Sequence, residues 1–430
     1  MVRNWAGNVE FAAAGLHRPA SVAELRGLVA GSPRVRALGT GHSFNRIADT
    51  TGELISLAGL PPVLELDSAA RQVEVSAGVR YGELAAHLHR RGFALHNLGS
   101  LPHISVAGAV ATGTHGSGDG NRGLAAAVAA LELVTADGEL RTLSRTGDTA
   151  AEFAGTVVGL GALGIVTRLR LDVEPAFAVR QDVFDSLAHE TVLAHLDEIL
   201  ASGYSVSLFT RWQPELAYQL WRKRRLDGPA EPDGPAEPVF FGGTAATGPR
   251  HPLPAMDAAN CTEQLGRPGP WHERLPHFRL GFTPSGGAEL QSEYLVPRAV
   301  ARQAIEAVAG IADRIAPVLQ ISELRSIAGD EYWLSPSYRR DSLAVHFTWL
   351  PDAAAVTPVL VELERRLAPL GARPHWGKLF EAGPASLARV YERYADFAQL
   401  RDLRDPGRKF ANDFLDRYFP TSRLPVGNLD

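Results

Sequence analysis

The sequence predicts an α+β fold in two domains, and three observations support that prediction. At 430 residues the chain is longer than one hydrophobic core normally covers. Up to residue 175, short strand-like and helix-like segments follow one another with Gly, Pro and Asp turns between them. Beyond residue 288, longer strand patterns are followed by amphipathic helices, which indicates an antiparallel sheet covered by helices.

The first part of the chain contains a helix signal and several short strand signals. A capping box at residues 21–24 predicts a helix that ends near Gly31. Tyr81 begins a second helical pattern, which Gly92 closes. The turn Asp137-Gly138 predicts a hairpin between residues 131–135 and 139–143. Further strands are predicted over residues 35–38, 54–57, 63–66, 72–76 and 165–173.

The second part combines longer strands with helices. Strands are predicted over residues 289–295, 318–327 and 343–350, and helices over 299–315 and 354–367. The Pro- and Gly-rich stretch at residues 227–238 predicts a surface loop. The basic run at residues 222–225 directly precedes that stretch, so we expect it to be a solvated flank of the loop.

Composition excludes several classes of function. A net charge of −5 argues against a nucleic-acid or anionic-membrane surface as the main partner. Cys261 is the single cysteine, so neither an intrachain disulfide nor a Cys-x-x-Cys motif exists. The N-terminus lacks the pattern of a signal peptide, and no apolar segment is long enough to span a bilayer. We therefore expect a soluble, cytoplasmic monomer.

Two glycine-rich stretches predict a cofactor site. Residues 39–45 read Gly-Thr-Gly-His-Ser-Phe-Asn, in which glycine permits close approach to the backbone and the imidazole supplies a nucleophile or ligand. Residues 98–118 carry few bulky side chains and bury little area, so we expect a cofactor to pack against their backbone. Residues 159–164 match Gly-x-Gly-x-x-Gly, but a strand follows where a helix is required, so no Rossmann domain is predicted.

Three segments of the second part carry polar side chains at a period of two. Glu323 and Arg325 share one face of a predicted strand, as do His346 and Thr348, and Lys378 lies in a third segment. Together they offer a carboxylate, a guanidinium, a hydroxyl, an imidazole and an ammonium, which suits a polyhydroxylated, uncharged substrate. The remaining histidines are spaced too irregularly for a predictable metal site, so no metal is expected.

These stretches, with residues 374–378 and 405–410, resemble the vanillyl-alcohol-oxidase-type flavoproteins, and most of all their alditol (xylitol) oxidase branch. The resemblance implies an FAD-binding domain of two α+β subdomains at residues 1–175 and a substrate domain with a large antiparallel sheet at 176–385. It also implies that residues 386–430 return to the FAD-binding domain. By the same resemblance, FAD is attached covalently through His42.

The resemblance assigns residues to cofactor and substrate. The residues implied at the flavin cofactor are Gly39, Thr40, Gly41, His42, Ser43, Ser100, Ser105, Gly108, Thr112, Gly113, Thr114, His115, Ile165 and His375. Those implied to hold the alditol are Ser100, Glu323, Arg325, Thr348 and Lys378. Lys378 beside Arg325 is expected to have a lowered pKa and to act either as base or as stabiliser of the alkoxide, with His346 as the competing base.

The activity implied is oxidation of the terminal hydroxyl of a polyol such as xylitol or sorbitol to the aldose, by hydride transfer to flavin. The small Gly99 leaves room for O2, which predicts an oxidase that releases H2O2. The alternative is an aldonolactone oxidase or dehydrogenase of the same family, which shares the histidine and the Glu-x-Arg pair. A non-catalytic flavin- or carbohydrate-binding protein is the rival from another class.

Overall fold

A computed structural model describes residues 2–213, 218–226, 237–253, 256–281 and 288–420. The strands in these ranges are β1 (Gly15–His17), β2 (Val35–Ala37), β3 (Glu53–Ile55), β4 (Leu64–Asp67), β5 (Gln72–Ser76), β6 (Phe93–Ala94), β7 (Val128–Val134), β8 (Leu140–Ser144), β9 (Ile165–Asp172), β10 (Glu174–Pro175), β11 (Ala178–Leu187), β12 (Ser205–Thr210), β13 (Tyr218–Leu226), β14 (Val239–Phe240), β15 (Gly243–Ala245), β16 (Gly269–Pro270), β17 (Leu290–Pro297), β18 (Leu319–Ile327), β19 (Ser342–Trp349) and β20 (Arg373–Pro374). The α-helices are α1 (Val22–Gly31), α2 (Tyr81–His89), α3 (Val106–Ala111), α4 (Ala150–Thr156), α5 (His189–Ala194), α6 (Leu196–Ala201), α7 (Ala301–Ala309), α8 (Ala312–Ile315), α9 (Ala353–Leu367), α10 (Pro384–Val390), α11 (Tyr394–Arg404) and α12 (Asp413–Tyr418).

Two small sheets and the two-stranded antiparallel pair β6-β10 form the N-terminal part. A parallel sheet has the order β1-β3-β2, and an antiparallel sheet has the order β4-β5-β9-β7-β8. Helix α1 begins as the sequence predicts, because the Ser21 hydroxyl accepts the Glu24 backbone N–H and satisfies a free donor of the first turn. Its buried Leu25 and Val29 pack against Val35, so the helix lies against the β2 strand that leads into residues 39–45.

A large antiparallel sheet forms the second part. The order of its main path is β14-β15-β11-β13-β12-β18-β19-β17-β20, with β16 paired to β11. On β19, Val345, Phe347 and Trp349 belong to the main hydrophobic core, and helices α7 and α9 contact β17. The α+β architecture with a helix-covered antiparallel sheet is therefore confirmed.

The register of three adjacent strands aligns polar residues in rows. Glu323 on β18 lies opposite His346 on β19, which lies opposite Glu293 on β17. Residues directly opposite one another in a sheet share a face, so these three side chains point to the same side. Thr348 lies one position along the same face and hydrogen-bonds His346 across 3.2 Å between Oγ1 and Nε2. The predicted grouping of polar side chains on one face is confirmed for these strands.

Several expectations about elements are wrong. The basic run at residues 222–225 is part of β13 and not a solvated flank, and Arg222 and Lys223 are 4% and 1% exposed. The helix predicted over 299–315 is interrupted near Gly310, which separates α7 from α8. The third polar segment is a strand only over β20, so Lys378 follows in a turn. Most of the predicted loop at 227–238 lies outside the described residues.

The C-terminal residues contact the N-terminal sheets. The Asn412 side chain donates hydrogen bonds to the backbone carbonyls of Arg46, Ile47 and Asp49, and Phe410 packs in the same cluster as α1. The five-stranded sheet ends with β9, and the large sheet begins with β11. The domain boundaries near residues 175 and 385 stay predictions. Within the described ranges, none of the helices combines the length and the apolarity that a membrane crossing needs.

Candidate active site

A cavity of about 520 Å³ lies between the N-terminal sheets and the polar face of the large sheet. Both parts of the chain contribute to its wall, which places the glycine-rich stretches opposite the row of polar side chains. The sequence-predicted residues on this wall are Gly39, Thr40, Gly41, His42, Ser43, Ser100, Ser105, Gly108, Thr112, Thr114, His115, Glu323, Arg325, His346, Thr348, His375 and Lys378.

Two residues of the predicted cofactor set do not lie on this wall. The side chain of Ile165 is 1% exposed and packs in the separate cluster that holds Leu25 and Val35. Gly113 has φ +70°, and a Cβ built on it would meet Pro336 Cδ at 2.9 Å, so it lies against Pro336. The structure therefore brings together the other members of the set but not these two.

The glycine-rich wall has the shape of a cradle for a flat or anionic group. A Cβ at Gly39 would lie 2.5 Å from the Ser105 hydroxyl oxygen, and one at Gly108 would lie 2.9 Å from it. A side chain at either position would have to displace the Ser105 hydroxyl, and as glycines both leave backbone uncovered on the cavity wall. Thr40 connects the stretches, because its hydroxyl accepts the Ser105 backbone N–H across 3.2 Å.

His42 is held in a fixed orientation at the cavity wall. Its Nδ1 lies 3.0 Å from the Thr40 hydroxyl, and its ring stacks on Trp5 with centroids 5.1 Å apart. Burial, assisted by the nearby His103, lowers the pKa of His42 to about 4, so the imidazole is neutral near pH 7 and keeps a nucleophilic lone pair. The donor set and the cradle fit a flavin cofactor.

Four charged side chains form the centre of the polar wall. Lys378 Nζ lies 2.8 Å from Glu293 Oε2, and Arg325 donates to Glu293 Oε1 across 2.7 Å. Arg325 also lies 3.6 Å from Glu323 Oε2 and donates to the Ser100 hydroxyl across 3.1 Å. Two cations and two anions give the centre no net charge, which suits a substrate that is uncharged but rich in hydroxyl groups.

The pKa values of the two carboxyl groups follow from burial and from their neighbours. Burial opposes the charged form of Glu293, but the adjacent Lys378 and Arg325 cations outweigh it and hold its pKa well below the ordinary value. Glu323 likewise has a lowered pKa, because Arg325 and His277 outweigh its burial. Both side chains are therefore carboxylates at neutral pH.

Lys378 has the lowered pKa that the sequence predicts, but the main cause differs. Burial contributes most, Glu293 opposes it, and the like charge of Arg325 adds to it. His346 Nδ1 lies 2.9 Å from Lys378 Nζ, and burial together with Lys378 holds the pKa of His346 well below its ordinary value. His346 is thus neutral, and it accepts a hydrogen bond from Lys378.

Sequence reasoning missed three residues of this region. Glu293 belongs to a predicted strand in which Glu289, Gln291 and Glu293 recur at a period of two, so the signal used for the neighbouring strands was present there. His277 also lies on the cavity wall, and Lys223 contacts it from behind. Neither lies in a periodic polar pattern, and only the tertiary structure brings them to Glu323.

Comparison with known proteins agrees with this geometry. A family profile described as an FAD binding domain matches residues 13–144, and one described as D-arabinono-1,4-lactone oxidase matches residues 288–418. An alditol oxidase of a Streptomyces species is 52% identical to this chain, over 96% of this chain and 98% of that protein. The chain belongs to the vanillyl-alcohol-oxidase-type flavoprotein oxidoreductases. The predicted family is thereby confirmed.

Two further known proteins resemble this chain at lower sequence identity. An L-gulono-1,4-lactone dehydrogenase of Mycobacterium tuberculosis is 32% identical, over 96% of this chain and 98% of that protein. A crystal structure of cholesterol oxidase from B. sterolicum superposes with a TM-score of 0.77 at 14% identity, covering 97% of this chain and 96% of that one. The superposition shows a shared fold, and family membership makes this chain an FAD-dependent oxidoreductase.

Proposed function

We propose that the protein is an FAD-dependent alditol oxidase, which oxidises the terminal hydroxyl of a polyol such as xylitol or sorbitol to the aldose and reduces O2 to H2O2. The observation that carries the proposal is the buried, charge-balanced centre of Glu293, Glu323, Arg325 and Lys378 on the cavity wall opposite the glycine cradle. The 52% identity to an alditol oxidase supports the same substrate class. The cytoplasmic location and the monomeric state of the present protein stay predictions.

The polyol is held by side chains from both parts of the chain. Glu323 is a carboxylate and can only accept hydrogen bonds, so it binds substrate hydroxyl donors, whereas Arg325 can only donate. Ser100 and Thr348 offer hydroxyls that both donate and accept. An alditol carries a hydroxyl on every carbon, and each hydroxyl both donates and accepts a hydrogen bond. A wall that offers both donors and acceptors can therefore bind several of these hydroxyls at once.

The chemistry requires that a proton leave the reacting hydroxyl. The cradle and His375 would hold FAD, which would supply the acceptor for the hydride from the carbinol carbon. Lys378 is the residue we propose to take the hydroxyl proton or to stabilise the alkoxide, because it lies on the cavity wall and burial lowers its pKa. His346 is the competing base, and its Nδ1 already accepts from Lys378 across 2.9 Å.

We further propose that His42 anchors FAD covalently, because its imidazole is neutral, ordered by Thr40 and Trp5, and exposed to the cavity. When wild-type protein is precipitated with acid, the yellow colour should remain in the pellet. His42→Ala should release the flavin into the supernatant, as measured by its absorbance. Acid-stable colour in His42→Ala would place the anchor on another residue.

The oxidase activity depends on access of O2 beside Ser100. A Cβ at Gly99 would meet its nearest neighbour, the His115 carbonyl oxygen, at 3.7 Å, so the position has space next to the cavity. We expect the xylitol-reduced enzyme to be reoxidised within seconds of mixing with air, with one H2O2 formed per polyol consumed. Reduced enzyme that stays colourless in air for minutes, while an artificial acceptor reoxidises it promptly, would identify a dehydrogenase.

The second candidate is a sugar-lactone oxidase or dehydrogenase. The match of residues 288–418 to the D-arabinono-1,4-lactone oxidase profile favours it, because those residues carry the polar wall. Steady-state rates with xylitol, sorbitol and a galactonolactone separate the two candidates. A higher kcat/KM for the lactone than for either polyol would replace the alditol assignment.

A further inference from the structure

A buried chain of side chains leads from Glu323 away from the cavity. His277 Nε2 lies 2.9 Å from Glu323 Oε1, and the other ring nitrogen, Nδ1, lies 3.1 Å from Lys223 Nζ. His277 is 5% exposed and Lys223 is 1% exposed. Lys223 belongs to the basic run of β13, and the mechanism described above does not use it. It therefore requires another explanation.

The protonation of His277 follows from its two nearest side-chain partners, Glu323 and Lys223, because the Ser207 hydroxyl lies farther from Nε2, at 3.5 Å. Glu323 is a carboxylate and can only accept, so His277 Nε2 must carry a proton and donate it. Burial, with the Lys223 charge, lowers the pKa of His277 to about 4, so the ring is neutral and Nδ1 carries no proton. Nδ1 is then an acceptor and needs a donor, which Lys223 provides.

Three hydrogen bonds hold the Lys223 ammonium group where it can donate to His277 Nδ1. Its Nζ lies 2.5 Å from the Leu275 carbonyl oxygen and 3.3 Å from the Pro276 carbonyl oxygen, and His277 Nδ1 is its third partner. Burial lowers the pKa of Lys223 to about 7. All three partners accept, and the ammonium form has three N–H donors, so in that form the side chain satisfies each of them. Lys223 thus contacts both the His277 ring and the backbone of the two residues before it.

Aromatic rings hold His277 from two other directions. Phe209 and Trp221 contact its ring edge to face, with centroids 5.5 Å and 5.2 Å away. The ring therefore has little freedom to turn, and its Nε2–H stays directed at Glu323 Oε1. The second oxygen, Glu323 Oε2, lies 3.6 Å from an Arg325 nitrogen, and Glu323 lines the cavity.

We infer that Lys223 and His277 are positioning residues for Glu323, which fix the His277 tautomer and thereby keep the carboxylate oriented to accept a substrate hydroxyl. The inference rests on the proposed function, because it takes Glu323 as a ligand of the polyol. It assigns a role in substrate selection to a lysine that lies outside the cavity wall. A substrate that has no hydroxyl donor facing Glu323 does not bind more tightly because Lys223 and His277 orient that carboxylate.

The kinetic test uses the holoenzyme and compares three variants. Lys223→Met and His277→Leu should raise KM for xylitol about 10–100-fold, because a hydrogen bond to a charged group is weakened. The value of kcat should change less than about threefold, since Glu323 binds the ground state and the transition state alike. His277→Gln keeps an acceptor toward Lys223 and a donor toward Glu323, so its KM should stay within about threefold of wild type.

The double variant separates this role from a general effect on folding. If both residues act through Glu323, Lys223→Met combined with His277→Leu raises KM no more than His277→Leu alone. Lys409→Met is the matched control, because Lys409 Nζ also binds two backbone carbonyls, those of Val29 and Ala30, away from the cavity. Multiplicative effects of Lys223 and His277, or a His277→Gln as impaired as His277→Leu, would overturn the inference.

A spectroscopic test does not depend on turnover. In the 15N spectrum of histidine-labelled holoenzyme at pH 7, the His277 signal, assigned by its loss in His277→Gln, should show a protonated Nε2 and an unprotonated Nδ1. Lys223→Met should shift the signal toward a mixture of tautomers. A proton on Nδ1 in wild type would overturn the inference. Failure of wild type to oxidise xylitol would instead contradict the proposed function and leave the tautomer result standing.

Discussion

Lys378→Met should lower the rate of anaerobic flavin reduction by xylitol about 10²–10⁴-fold, the usual contribution of general-base assistance. Methionine has a similar length and no proton acceptor of comparable strength, so the change removes the chemistry and keeps much of the volume. It also removes a buried cation from Glu293, which retains Arg325 as its partner. The measurement is stopped-flow absorbance of the flavin at saturating xylitol.

Lys378→Arg distinguishes the two roles left open for this residue. Arginine keeps the positive charge but is not deprotonated in proteins, so it can stabilise an alkoxide and cannot act as base. A rate near that of Lys378→Met would indicate a base, and a rate near wild type would indicate electrostatic stabilisation. Unchanged reduction in Lys378→Met would remove Lys378 from the chemistry and leave His346 as the candidate base.

The sequence predicts much of the site because polar side chains recur at every second residue along its strands. Glu323 with Arg325 and His346 with Thr348 are two residues apart, and a strand places such pairs on one face whatever its neighbours are. Glu293 has the same spacing of two from Gln291 on a predicted strand. Its importance depends on the pairing of β17 with β19, which no local pattern in the sequence specifies.

Other parts of the site depend on contacts between distant residues. Lys378 follows β20 in a turn, and its position is fixed by Asn45, whose side chain donates to the Lys378 carbonyl across 2.7 Å. The sequence places Lys223 in a solvated flank, because charged runs beside Pro and Gly are usually exposed. The acceptors that make its burial tolerable, at residues 275–277, lie on another segment.

Glu293→Gln should destabilise the protein by about 3–5 kcal/mol, the usual cost of removing one partner of a buried ion pair. The carboxylate is 1% exposed and contacts both Lys378 and Arg325, and with the amide the two buried cations keep Glu323 but lose the nearer carboxylate of the centre. Chemical denaturation of the holoenzyme measures the loss. Glu132→Gln is the matched control, because that carboxylate accepts from the Thr167 hydroxyl across 2.6 Å.

The same variant should move the pH dependence of flavin reduction in a defined direction. Glu293 favours the ammonium form of Lys378, so its removal lowers the pKa of Lys378 further. If neutral Lys378 is the base, the rate rises with pH as the proton is lost, and in Glu293→Gln this rise begins at lower pH. If the ammonium is the active form, the rate falls with pH, and that fall moves to lower pH instead. A profile that does not move would show that Glu293 and Lys378 are not coupled in the reaction, although their side chains are 2.8 Å apart.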